Sequence, residues 1–166
     1  MFNRKPGTVE DSRLNTKTML TEPLYLVLPK EPKQWMPEKL KQMIYSPKLI
    51  KQTALPIEGF ANCPFILLKQ GYGFRRTVLE LCARGRFEPQ IAYETSSIET
   101  AQSLVGHGLG LTVVPEMIDY RSPQQTYFSY IKLDSNPTRT LVFTYNKERY
   151  LSINAKALIE IYEKQS

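Results

Sequence analysis

The chain has 166 residues, 42% of them hydrophobic and 23% charged, with a formal net charge of +6. That balance suits one globular domain or two small lobes and indicates neither disorder nor a membrane span. No apolar run nears the about 20 residues of a membrane-spanning helix, and Met1 to Pro6 carries no apolar signal segment, so a cytoplasmic protein without membrane contact is expected.

The first twenty residues are polar, carry Pro6 and Gly7, and read as a loop or tail. Pro23-Leu24-Tyr25-Leu26-Val27-Leu28-Pro29 is then a continuous apolar run between prolines, the pattern of a strand buried on both faces. Prolines at 29, 32, 37, 47 and 56 mark a connector with one short helix over Glu38 to Tyr45, opened by Pro37 in its first turn. A strand at Phe65 to Lys69 leads into a helix from Phe74 to Ala83 with Phe74, Val78, Leu81 and Cys82 on one face, and Gly85 is expected to end it as a left-handed cap. A strand over Gln90 to Glu94 follows, and Ser96 with Glu99 has capping-box spacing for a helix carrying Ile98, Ala101, Leu104 and Val105, stopped by Gly106 and Gly108. Strands are predicted over Leu109 to Val114, Tyr127 to Leu133 and Arg139 to Tyr145. A last helix has Leu151, Ala155, Leu158, Ile159 and Tyr162 on its buried face. Strands alternating with helices predict an α/β fold with a mostly parallel, helix-covered sheet.

The chemistry concentrates at two strand-to-helix turns. Gln70-Gly71-Tyr72-Gly73 lets backbone approach a ligand closely, and the N–H groups near Phe74 and Arg75 at the helix start can hold a carboxylate. The same turn also fits a plain tight connection, and without a third glycine it makes no dinucleotide fingerprint. Thr95, Ser96 and Ser97 offer hydroxyls at the next helix start, either as ligand contacts or as a helix cap. Arg75 and Arg76 can grip a dicarboxylate in bidentate fashion or stand solvated. Cys63 and Cys82 lack metal-type spacing and read as buried reduced thiols, and His107, the sole histidine, as a turn residue. With no nucleophile and base pair and no metal set, neither an enzyme nor a cofactor is indicated. The lysines and arginines are scattered, with no basic block interleaved with aromatics, so a solvated basic surface is a better account than a nucleic-acid footprint.

Taken in order, Leu20 to Pro29, Gly71-x-Gly73-x-Arg75, Glu94 to Ala101, Gly108 to Glu116 and Arg149-Tyr150-Leu151-Ser152 resemble the effector-binding domain of LysR-type bacterial transcription regulators, from about Leu20 to Tyr162. The resemblance implies a type 2 periplasmic-binding-protein fold, two α/β lobes joined by crossover strands with a small organic anion, such as a carboxylate, held between them. On that basis residues 1–29 are a tail and a remnant strand of the first lobe, 30–63 a connector, 64–133 the second lobe, and 134–166 the return strand and C-terminal helix of a first lobe that is incomplete. The effector contacts it implies are Gly71, Gly73, Phe74, Arg75, Thr95, Ser96 and Ser97. DNA contact would need the family's N-terminal winged helix-turn-helix, which is missing, and homo-oligomers are expected of the full-length protein. The peroxide-sensing branch has its reactive cysteine at the place of Gly73, so that disulfide switch is not expected although Cys82 matches the second cysteine. A solute-binding protein of the same fold is the alternative reading.

Overall fold

The computed structural model describes residues 12–46, 54–116 and 127–165. The chain divides into two compact units, one of residues 23–137, the other of residues up to 22 with those from 138 onward. Strand β1 (Leu14–Pro29) contributes to both.

In the larger unit the second half of β1 is flanked by antiparallel neighbours, β4 (Thr112–Pro115) and β5 (Phe128–Lys132). Strand side chains alternate between faces, and the apolar run divides accordingly. Leu24, Leu26 and Leu28 join Leu111, Val113, Ile131, Phe65 and Leu67 in one core cluster, while Val27, Ile66, Val114 and Phe128 enter another. Each cluster needs its own cover. The first is closed by Leu40, Met43 and Ile44 of α1 (Glu38–Ile44), by Ile57 and Phe60 of a 3-10 turn (Ile57–Phe60), and by Val78, Leu81 and Cys82 of α2 (Gly73–Arg84). The second is closed by Ala101 and Val105 of α3 (Ile98–Gly106).

β2 (Pro64–Leu68) lies parallel to β3 (Gln90–Thr95), with Leu67 opposite Glu94 and Leu68 opposite Thr95. A parallel bridge from Phe65 to Leu111 ties β2 to the approach of β4, through Ile66 N–H to Leu111 O at 2.8 Å and Leu111 N–H to Pro64 O at 2.9 Å. Trp35 reaches the turn after α3, its indole Nε1 donating to Gly108 O at 2.9 Å. The sheets are mixed α/β as expected, but the parallel share is smaller than the alternation of elements predicts. Parallel neighbours arise where a helix returns the chain, as between β2 and β3. β1 is no member of such a series, and its second half runs against β4 and β5 on either side.

The smaller unit holds the first half of β1, β6 (Thr138–Asn146) and α4 (Ile153–Gln165). β6 pairs with β1, Thr21 Oγ1 standing 3.0 Å from Thr140 Oγ1 and Lys147 N–H donating to Arg13 O at 2.8 Å. Glu22 is buried and accepts from Arg139 Nε at 2.6 Å. The Phe143 and Tyr162 rings meet edge to face at 5.5 Å.

Three expectations are corrected. Residues 14–20 belong to a strand, not to a loop or tail; Thr16, Thr18 and Thr21 favour extended backbone, and a half-exposed ribbon needs no apolar period to announce it. The start of the expected tail, residues 1–11, lies outside the described residues, as do residues 47–53 of the connector. Leu158 is 48% exposed instead of buried, because the two-stranded ribbon covers one narrow stripe of α4, centred on Ile159. Gly85 has φ −74°, so it is no left-handed cap; Arg86 takes φ 61° instead.

Gly85 is required for space. A Cβ there would stand 2.7 Å from Ile57 Cγ2 and 3.1 Å from Phe87 Cε1, and Ile57 is a buried, β-branched side chain with little freedom to yield. Gly85→Ala is expected to lower stability by about 1–3 kcal/mol through overpacking. Ile57→Leu, which removes the obstructing methyl at near-constant volume, should restore part of that loss in the double variant. Urea unfolding midpoints of the four proteins check this; strictly additive effects would refute the steric account.

Candidate functional site

Because Leu68 and Thr95 are register partners at the ends of parallel strands, the two turns that follow are neighbours. Lys69 N–H donates to Thr95 O at 2.8 Å and fixes them side by side. The carboxyl ends of β2 and β3 thus bring the starts of α2 and α3 to one edge of the larger unit, the place where open α/β sheets hold ligands.

At the first turn, Gly71 has φ +92°, a conformation that side chains with a Cβ rarely adopt, and it faces open space. Gly73 opens α2 and is exposed, and Tyr72 at the N-cap gives no side-chain hydrogen bond to the helix start. Phe74 is half-buried against the first core cluster.

Arg75 is not held out to solvent. Its Nη1 donates to Leu68 O at 2.6 Å and also bonds Glu94 Oε1 on β3, and its side chain is only 12% exposed. Arg76 diverges from it, 73% exposed and paired with Glu80 at 2.8 Å one turn along α2. The two arginines therefore do not converge on one ligand. A helix places successive residues about 100° apart, so adjacent positions cannot share a face.

At the second turn Thr95 is buried. Ser96 is exposed, and Ser97 is half-buried. The cap is Ser97, not Ser96: its Oγ accepts from Thr100 N–H at 3.1 Å and donates to Glu99 Oε2 at 2.7 Å. Ser-x-x-Glu spacing from Ser96 misplaces the cap by one residue because Ser97-x-x-Thr100 satisfies the same helix-start donor. The Ser97 hydroxyl bond lowers the Glu99 pKa from its ordinary value. Glu99 thereby adds stability above the ordinary glutamate pKa and loses it as pH falls through the lowered one.

Sequence reasoning missed Glu94 and Thr112 at this edge. Thr112 is buried and donates from Oγ1 to Ile66 O at 2.7 Å. With Leu68, Phe74, Arg75 and Ile98 it borders a hollow of about 10 Å³, room for about one water molecule. The signal for Glu94 was present, as the one charge in an otherwise uncharged strand, Gln90–Thr95.

Elsewhere, His107 caps α3 at its C-terminus with Nδ1 2.8 Å from Ser103 O, and no group of three metal-ligating side chains occurs among the described residues. No helix among the described residues is long and apolar enough to cross a membrane. Cys63 and Cys82 are buried free thiols, and burial pushes their pKa values up to about 11 and about 12.

The LysR substrate binding domain family matches residues 2–166. The uncharacterized HTH-type transcriptional regulator YcgK of Bacillus subtilis (strain 168) is 47% identical over 158 residues, covering 92% of this chain and 48% of the relative. The transcriptional dual regulator GltC of the same organism is 24% identical over 111 residues, covering 67% of this chain and 32% of that protein. The chain thus spans about a third to a half of these relatives' length. Among solved structures, the regulatory domain of Synechocystis PCC6803 CcmR in complex with 2-PG superimposes with a TM-score of 0.75 at 17% identity, over 96% of this chain and 70% of that one. The effector binding domain of QuiR in complex with shikimate gives a TM-score of 0.72 at 15% identity, over 96% and 68%.

Two outcomes follow from the site geometry. Ser97→Ala should lower stability by about 1 kcal/mol, and Ser96→Ala by less than about 0.5 kcal/mol, in urea unfolding at pH 7; the reverse order would refute the cap assignment. Both cysteines should resist a thiol reagent at pH 8 in the folded protein and react on unfolding, since neither is exposed and both remain protonated.

Proposed function

The chain belongs to the LysR substrate binding domain family, and from that premise we propose that it is the effector-sensing part of a bacterial transcription regulator rather than an enzyme. A small organic anion is taken at the edge where β2 and β3 end. Backbone N–H groups around Gly73 and Phe74 face its charge, and the hydroxyls of Thr95 to Ser97 line the neighbouring turn. DNA is contacted by a helix-turn-helix domain in a longer, homo-oligomeric cytoplasmic protein. The effector acts by binding one arrangement of the sensing domain better than another, which shifts their populations.

The observation that carries this reading is the pairing of Leu68 with Thr95, which sets two glycine- or hydroxyl-rich helix starts side by side. The start of α2 carries no side-chain cap, and Gly71 with its positive φ faces open space. The CcmR regulatory domain is in complex with 2-PG and the QuiR domain with shikimate, and a carboxylate or phosphate is the group such helix starts favour. The relatives named as transcriptional regulators favour regulation over solute capture.

The test is a thermal-shift screen of the chain with small carboxylic acids, beside a circular-dichroism melt. At ligand about a hundredfold above Kd, binding should add about 2.7 kcal/mol, a rise in Tm of roughly 5–10 °C for a chain of this size. A cooperative melt that no acid shifts would overturn the reading.

A further inference from the structure

The charge at this edge is balanced within the protein. Arg75 uses both hydrogens of Nη1, one on Leu68 O and one on Glu94 Oε1. Its Nε and Nη2, the other fork of the guanidinium, have no partner among the described residues, and Arg75 is one of the residues that border the hollow with Phe74 and Thr112. Glu94 gives one oxygen to Arg75, and its second has no partner among the described residues; its side chain is 42% exposed. The edge therefore offers a planar pair of donors and, next to them, a free carboxylate acceptor.

We propose that Arg75 and Glu94 act as a paired specificity element for hydroxy- or amino-carboxylates. The ligand carboxylate that faces the start of α2 also engages the Nε and Nη2 fork at the mouth of the hollow, and an adjacent hydroxyl or ammonium donates to the free oxygen of Glu94. This deepens the proposed function and rests on it.

The physical argument is one of excluded partners. A simple carboxylate meets an arginine already neutralised by a carboxylate at hydrogen-bond distance, and its charge gains little from the approach. It also lies beside the second Glu94 oxygen, whose like charge opposes it. A ligand carrying a donor next to its carboxylate turns that opposing oxygen into an acceptor. A site with a placed polar group rejects the analogue lacking its counterpart far better than an apolar pocket does. Glu94 thus selects against the deoxy analogue by repulsion as well as for the hydroxy acid by attraction.

The test compares malate with succinate and lactate with propionate, each pair differing by one hydroxyl, by calorimetry on the chain and on Glu94→Gln and Arg75→Lys. The hydroxy acid of each pair should bind the unaltered chain about tenfold or more tightly, as a hydrogen bond to a charged group warrants. In Glu94→Gln the preference should fall to about threefold or less while the deoxy acids bind more tightly than before, an outcome that mere loss of structure cannot produce. Arg75→Lys, which keeps the charge and loses the fork, should weaken all four acids, with the melt confirming that the variant is folded. Acids that bind without preference, or a preference that survives in Glu94→Gln, would overturn the pair's role and leave the sensing function standing. If no hydroxy- or simple carboxylate bound at all, both the inference and the anion site of the proposed function would fall.

Discussion

The end of β1, Leu26 to Pro29, has no solvent face. Leu26, Val27 and Leu28 are fully buried, and the alternation of a strand sends them into opposite core clusters. Burying a side chain of this size is worth about 1.5–3 kcal/mol, and that gain is reached only if both faces are covered. One face is closed by the connector, with Met36, Leu40 and Ile57, together with α2; the other by α3. The loops that reach from strands to these helices are the two turns of the candidate site. The candidate edge is in this sense a by-product of covering a central strand twice.

The same demand explains how charge is distributed. A sheet edge where helix starts converge is electropositive from its backbone, and Arg75 would add to that field. The protein instead folds the guanidinium inward onto Leu68 O and opposes it with Glu94. Glu22 and Arg139 in the smaller unit show a related arrangement with deeper burial, Glu22 being 2% exposed. Removing one partner of such a pair strands the other in a poorly solvated place, which is typically worth 3–5 kcal/mol. Lys17 with Glu163, by contrast, is an exposed pair and contributes little.

The sequence was most legible where burial imposed a period. The run between Pro23 and Pro29, α2 with Val78, Leu81 and Cys82 inward, and α1 after Pro37 all follow from spacing. It was least legible where a different force decides. Leu14 to Leu20 pair as a half-exposed ribbon and leave no apolar signature, and strand direction beside β1 depends on which neighbours it meets in space. Gly85 shows that a glycine after a helix can answer to a methyl group of Ile57, brought beside it by tertiary packing, and not to backbone handedness. At the site, the turns could be found from their glycines and hydroxyls. The partner of Arg75 could not, because Glu94 lies nineteen positions away and meets it only through the parallel register of β2 and β3.

Trp35, the single tryptophan, is tethered by its indole N–H to the carbonyl of Gly108, where α3 turns toward β4. Indole emission is sensitive to whether that N–H is bonded and to how wet the ring is. The chain therefore carries its own optical probe at a defined point of the α3–β4 turn, with no competing indole to dilute it. Fluorescence can follow this turn alone while circular dichroism follows the whole backbone, which separates a local rearrangement from unfolding without any label.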